Sequence, residues 1–380
     1  MSNYVFILGK EKSISIAELI TVFGEESITE IANDCVSVIS ERSFNQNDFD
    51  MLGGVIKMGE VLEESSKEDL LDTIFTQLQN KHSGSKLNFG ISLYGESIKN
   101  LRSLLIDIKR RLNTEKVSSR FANQDFQNIS TAQHKGLKKK GVEFLVVKSD
   151  SSYLIAEVTA IQDIDSYSKR DFDKPFRDMR VGMLPPKLAQ VMINLTGIED
   201  GTIWDPFCGG GVLVMEGLFM GYDMLGSDIN EDTLDGAEQN VDWIKYGYNL
   251  HAKVDLFAHD ATTPLLNRKF DAIACEGYLG PPQEQLLTET EADNVTSHLH
   301  SLYVNFFQSL KEINFKGPIV IALPFYKCDN NEEKSMDRTI DEIKQMGFVP
   351  EKLINESVQL KYRRENQVVG REIFKFVSIS

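Results

Sequence analysis

The segment Thr202-Ile-Trp-Asp205-Pro206-Phe-Cys208-Gly209-Gly210-Gly211-Val-Leu constrains this chain more than any other. An apolar strand runs into an acid, then a glycine turn, then the start of a helix. Glycines accept positive φ and let backbone approach a ligand closely. The helix N-terminus that follows offers unpaired N–H groups and a favourable dipole to an anionic group. From residue 201 onward strand-like runs alternate with helix-period segments, the pattern of a largely parallel, doubly wound sheet. Strands are expected at 201–205, 224–228, 253–258, 270–275, 319–323 and 372–377.

Each of three later strands ends near an acid or a loop suited to ligand chemistry. Asp228 closes Leu225-Gly-Ser-Asp228-Ile229, 23 residues beyond Asp205. An acid there is placed to accept hydrogen bonds from two ribose hydroxyls. The turn lacks the G-x-G-x-x-G fingerprint, which argues against a nicotinamide dinucleotide. Asp260 ends the third strand, placed either to accept from an adenine amine or to cap a helix. The fourth strand delivers Cys275-Glu276-Gly277-Tyr278-Leu279-Gly280 to the ligand-binding edge of the sheet. An exocyclic amine is a poor nucleophile, and an acceptor that takes its N–H bonds turns the lone pair toward a methyl donor. Glu276 fits that role, and Tyr278 is suited to stack on a flipped base.

Charge places the polyanion contact elsewhere. The formal net charge is −16, yet residues 67–150 carry a balance of +6 between acidic flanks of −8 and −14. Arg110, Arg111, Arg120 and the run Lys138, Lys139, Lys140 lie in that basic stretch and are expected to meet phosphates, against the alternative of a solvated basic face. Residues 97–113 read as a basic helix with Leu101, Leu104, Leu105, Ile108 and Leu112 buried. The first 62 residues read as a small α+β unit and 63–162 as a second one. Residues 163–182 read as a polar connector, and 183–380 as the doubly wound domain.

Cys35, Cys208, Cys275 and Cys328 are scattered, and the six histidines show no ligand spacing. A zinc site, a disulfide framework and any other metal are therefore not expected, and a reducing cytoplasm is. No apolar run reaches 18 residues, so no membrane span is expected. The first residues read as a strand, not a signal peptide.

Arg170-Asp-Phe-Asp-Lys-Pro-Phe-Arg177-Asp-Met-Arg-Val-Gly182-Met-Leu-Pro185-Pro186-Lys187-Leu-Ala-Gln190, the Asp205 turn, and Tyr362-Arg-Arg-Glu-Asn-Gln-Val-Val-Gly-Arg371-Glu-Ile together resemble the THUMP-containing tRNA guanine-N2 methyltransferases. The resemblance implies a ferredoxin-like domain, a THUMP domain gripping the tRNA acceptor end, and a Rossmann-like methyltransferase domain closed by an antiparallel hairpin. It implies S-adenosylmethionine (SAM) as donor and a guanosine N2 amine near the D-arm junction as target. It further implies Asp205, Pro206, Cys208, Gly209 and Gly211 in the SAM loop, Asp228 and Ile229 at the ribose, Asp260 at the adenine, and Pro185 and Lys187 flanking the donor. The catalytic loop departs from the family's Asp-Pro-Pro-Tyr-Gly. The acid is one methylene longer, both prolines are missing, and a more flexible loop is expected. Two other readings remain open: an adenine-N6 DNA methyltransferase, which lacks support from any large target-recognition insertion, and an RNA-binding homologue without turnover. A small activating subunit, and the choice between monomer and homodimer, are not decided by sequence.

Overall fold

The computed structural model describes residues 1–84, 86–137, 141–177, 183–354, 358–365 and 367–379. They form two compact units, Met1–Ile164 and Asp165–Ser380.

The first unit runs β1 (Ser2–Leu8), α1 (Lys12–Phe23), β2 (Ile28–Ala32), β3 (Cys35–Ser40), α2 (Gln46–Phe49), β4 (Val55–Ser65), α3 (Leu70–Asn80), β5 (Leu87–Tyr94), α4 (Ile98–Thr114), β6 (Ser119–Phe121), α5 (Thr131–Leu137), β7 (Gly141–Lys148) and β8 (Tyr153–Ile161). All eight strands join one sheet, ordered β2-β3-β1-β4-β8-β7-β5-β6. The expected boundary at residue 62 falls inside β4, which pairs antiparallel with β1 on one side and β8 on the other. One apolar cluster crosses that line, joining Val5 and Ile7 to Leu145, Val147 and Ala156, and two others lie mainly to either side of it. Leu19 of α1 packs with Tyr4, Phe6, Val36 and Met58, while Ile74, Leu105 and Ile108 of α3 and α4 pack with Phe89 and Phe144. Helix α4 buries Leu101, Leu105, Ile108 and Leu112 at the spacing its sequence requires.

The second unit runs α6 (Ile164–Phe172), α7 (Pro186–Leu195), β9 (Thr202–Asp205), α8 (Val212–Phe219), β10 (Asp223–Asp228), α9 (Glu231–Tyr248), β11 (Val254–Ala258), β12 (Ala272–Glu276), α10 (Glu289–Glu312), β13 (Ile319–Lys327), β14 (Glu333–Lys334), α11 (Asp337–Gln345), β15 (Phe348–Pro350), β16 (Lys361–Tyr362) and β17 (Val369–Ser378). Its sheet is ordered β11-β10-β9-β12-β13-β17-β15. Strands β9 to β13 are parallel and β17 is antiparallel to β13, so this is the doubly wound sheet with an antiparallel end that the alternation predicts. Trp204 is wholly buried in β9, and its indole N–H donates to Ser227 Oγ at 3.0 Å, which satisfies the one polar atom it takes inside.

The polar stretch 163–182 begins with helix α6, which the sequence reading did not mark. Its polar residues hid it, because one of them is an anchor. Arg170 is buried, and its Nε donates to the buried Glu216 of α8 at 2.8 Å. His298 and His300 lie in the middle of α10, whose start Thr288 and Glu291 set with a reciprocal capping box. Among the described residues no helix is long and apolar enough to cross a membrane.

Candidate active site

Strands β10, β9 and β12 lie side by side, and their C-terminal ends carry Asp228, Asp205 and Glu276. The chain leaves β9 toward β10 and β11 and then returns to β9's other side as β12. Such a switch point opens a crevice beyond the strand ends. A cavity of about 1010 Å³ occupies it, and all three acids line it. Burial pushes the Asp205 carboxyl well above the ordinary range. The Phe207 N–H opposes that rise, and the Asp228 and Glu276 charges add to it. Three acids converge on this cavity, which suits it to a cationic ligand.

The glycine turn closes one wall. Gly209 and Gly211 have φ of +48° and +76°, and the position a Cβ would take at Gly209 is open space. Gly209 N–H donates to Asp228 Oδ2 at 3.0 Å, and Asn230 N–H to Oδ1 at 2.9 Å. These bonds fix the carboxylate at the strand end and use two of its roughly four lone-pair directions. Pro206, Cys208, Ile229 and Asp260 also line the cavity. Asp260 Oδ1 accepts from Thr262 N–H and Oγ1–H at 2.9 and 2.7 Å, so it closes a turn and does not cap a helix.

Three of the expected donor-site residues lie apart from the cavity lining. Gly211 precedes α8 and allows close packing on α9, where a Cβ would come within 3.2 Å of Ala237 Cβ. Pro185 precedes α7. Lys187 places its ammonium 5.1 Å from the Tyr167 ring centre. Met183 and Leu184, from the same segment, line the cavity instead.

The loop after β12 is tied at two of its carbonyls by tyrosines from elsewhere in the fold. Tyr303 of α10 donates its hydroxyl to Tyr278 O at 2.7 Å, and Tyr326 of β13 donates to Leu279 O at 2.5 Å. Both tyrosines are fully buried. Gly277 N–H continues the ladder to Ala322 O at 3.1 Å. Glu276 forms an ion pair with Arg371 of β17. Burial pushes the Glu276 carboxyl above its ordinary value, while Arg371 and then Arg364 pull it back. Tyr278 is 48% exposed at the cavity mouth. Cys208 and Cys275 are pushed up by burial, so both remain thiols and neither is a nucleophile in its resting state.

Several lining residues escaped the sequence reading. Phe176 stands against the glycine turn, held by the buried Asn240. The Asn240 Oδ1 accepts from Phe176 N–H at 2.8 Å, and its Nδ2 donates to Phe176 O and Gly210 O at 3.0 and 2.8 Å. A lone asparagine on the apolar face of α9 is the one sequence trace of that bracket. Arg364, Gln367 and Arg371 arrive from the last hairpin. All three lie in the Tyr362–Ile373 stretch that carries part of the family resemblance, but their place at this cavity went unread.

The expected RNA contacts all lie in the first unit. Arg110 is exposed on α4 beside Asp107. Arg111 forms an ion pair with Asp72 and lies 4.5 Å from the Phe75 ring centre, so it is tied into the α3–α4 packing. Arg120 is exposed on the edge strand β6. Lys138, Lys139 and Lys140 lie outside the described residues. The helix that precedes them, α5, is anchored by a buried cluster: His134 Nδ1 lies 2.7 Å from Glu143 Oε2, and Lys57 and Ser92 donate to Glu143 Oε1 at 2.5 and 2.7 Å.

Comparison with known proteins agrees with this geometry. Residues 176–346 match the UPF0020 family model, described as an RMKL-like methyltransferase domain. The tRNA (guanine(10)-N2)-dimethyltransferase of Methanothermobacter thermautotrophicus is 29% identical over 48% of this chain and 50% of its own length. The enzyme of the same name from Pyrococcus abyssi is 37% identical over 41% of each. The chain thus spans about half the length, or less, of these curated relatives. TrmN from Thermus thermophilus covers both chains end to end, at 13% identity and a TM-score of 0.53. A possible methylase from Clostridium difficile covers 100% of this chain and 98% of its own, also at 13% identity, with a TM-score of 0.52. Those two likenesses establish the mixed α/β fold.

Proposed function

We propose that this chain transfers a methyl group from SAM to the N2 amine of a guanosine in tRNA, at position 10 as in the relatives named above. The observation that carries the reading is the delivery of Glu276 into the same cavity as the glycine turn and Asp228.

The residues present fit the donor. Gly209 leaves room for close backbone approach, Asp228 retains lone pairs for ribose hydroxyls, and the cluster of carboxylates favours a ligand that is cationic at sulfur and amine. Asp205, Pro206, Cys208, Gly209, Asp228, Ile229 and Asp260 would hold it. When bound, it supplies an electrophilic methyl group. The chain's own task is then orientation. An ionised Glu276 accepts hydrogen bonds and donates none, so it matches the adjacent N1–H and N2–H donors of guanine and turns the amine lone pair out of conjugation. Adenine presents an acceptor beside its amine and meets the same carboxylate less well. Tyr278, at the mouth, is placed to stack on the base. The basic stretch 67–150, which carries Arg110, Arg120 and, in its sequence, Lys138 to Lys140, supplies phosphate contacts. Four free, buried cysteines support a reducing, cytoplasmic setting.

One observation favours RNA binding without turnover: the ion pair with Arg371 occupies part of Glu276. A single assay separates the two. Labelled SAM is incubated with unmodified tRNA and either wild type or Glu276→Ala. N2-methylguanosine formed by wild type and lost in the variant supports catalysis. No product, with SAM binding measured by calorimetry, removes it.

A further inference from the structure

Glu276 sits at the end of β12, opposite Ala322 of β13. On the other side of β13, Pro324 faces Arg371 of β17. Adjacent strands lie about 4.8 Å apart, so Arg371 reaches back across a whole strand, roughly 10 Å of backbone separation, to meet the acid. Its side chain is only 2% exposed, whereas that of Glu276 is 20% exposed into the cavity. A nearly buried guanidinium spanning a strand to hold a carboxylate at the cavity floor is an arrangement that core packing alone does not require.

We propose that Arg371 is a positioning residue for the acceptor amine: it holds one carboxylate oxygen of Glu276 so that the other faces the cavity, and it can do so because residue 276 is a glutamate. An aspartate, one methylene shorter, does not complete the span. The long acid and the arginine are a matched pair. The longer side chain at 276 is thus a relocated anchor, not a loosened site. This inference rests on the methyl-transfer reading above.

The pair also sets the charge. Around Glu276 stand Asp205 from β9, Cys275 from its own strand, Tyr278 from the loop, Tyr303 from α10, and Arg364 and Arg371 from the last hairpin. Only the two arginines favour the ionised form, and Arg371 is the larger influence. Without it, burial acts against Arg364 alone and the carboxyl holds its proton to higher pH. A protonated Glu276 presents a donor to the amine and loses its acceptor role.

The experiment compares full-length wild type, Arg371→Met, Arg371→Lys and Glu276→Asp. In Arg371→Met, kcat at neutral pH falls about 100-fold while SAM affinity stays within about threefold. The acid limb of its rate profile moves about one to two units toward alkaline pH, with activity recovering as pH rises. Arg371→Lys, which keeps the charge without the fork, returns that limb close to its wild-type position. Glu276→Asp loses activity although it restores the shorter acid. An unmoved acid limb in Arg371→Met, or full activity in Glu276→Asp, overturns the proposal. A readout free of activity accompanies these. With ¹³C-labelled glutamate side chains, the carboxyl resonance absent from Glu276→Gln titrates at higher pH in Arg371→Met than in wild type. Equal midpoints overturn the role of Arg371 even if tRNA proves not to be the substrate. A wild type that titrates as expected but methylates no tRNA removes the functional reading instead.

Discussion

Replacing Tyr303 with Phe removes one oxygen from the molecule and leaves the ring in its fully buried place. The lost hydroxyl is the donor to Tyr278 O. A carbonyl deprived of its partner costs about 1–3 kcal/mol when water cannot replace the bond. Tyr278 is half exposed, so the lower part of that range applies, about 1–2 kcal/mol. For a unit of this size that corresponds to a fall in Tm of about 2–8 °C. The catalytic effect is expected to be larger than the stability effect suggests, because the loop places Glu276 and Tyr278 against the base, and a displacement near 1 Å costs on the order of 100-fold in rate. We therefore expect Tyr303→Phe to lower kcat for tRNA methylation by about 10- to 100-fold, with SAM affinity by calorimetry unchanged. Tyr326→Phe, which frees the adjacent Leu279 O, behaves alike, and the double variant falls short of the sum because both hydroxyls hold one loop. Burial pushes both phenols up, so the deficit is the same at every assay pH where the enzyme is folded. A Tyr303→Phe protein with reduced Tm and wild-type kcat would refute the reasoning, because the hydroxyls would then stabilise the loop without shaping the site.

Three further outcomes are expected. Asp228→Ala removes the partner of Gly209 N–H and the acid facing the cavity, and weakens SAM binding by at least about tenfold in calorimetry, equivalent to one lost charge-assisted bond. Arg170→Met leaves Glu216 buried without its partner and costs about 3–5 kcal/mol by denaturant unfolding, while Arg170→Met with Glu216→Met recovers most of it. Glu216 already has a raised pKa in the fold, from burial opposed by Arg170. In Arg170→Met that pKa rises further, so the single variant loses stability as pH climbs above about 4.5, and a deficit no smaller at pH 5 than at pH 8 counts against the account. Gly236→Ala places a methyl within 2.3 Å of the Phe176 ring, displaces the bracket beside the glycine turn and lowers stability by about 1–3 kcal/mol, measured as a shift in denaturation midpoint.

The doubly wound domain was legible because its physics is local. Buried parallel strands read as apolar runs, and Trp204, Cys275 and Ile321 lie where those runs put them. Strand-end acids were legible for the same reason: Asp205, Asp228 and Glu276 each follow an apolar run and end at the same edge of the sheet. The first unit was harder. Strand β4 carries one partner from each of the two expected domains, and period-2 alternation says which face is buried but not which strand lies alongside. Helix α6 was missed because its anchoring residue is a buried arginine, which looks the same as a surface arginine until Glu216 is found beside it.

Sequence by itself determined the alternation of strands and helices in the doubly wound domain, the glycine turn, the acids that end three strands, and the basic stretch in the first unit. These depend on residues near one another along the chain. Tertiary structure alone decided that Tyr303 and Tyr326 hold the loop that lacks its prolines, that Asn240 holds Phe176 against the turn, and that Arg371 holds Glu276. Those contacts join residues 25 to 95 positions apart. A hydroxyl or guanidinium carries no mark of its distant partner, because its bond exists only once the sheet has brought the two strands together.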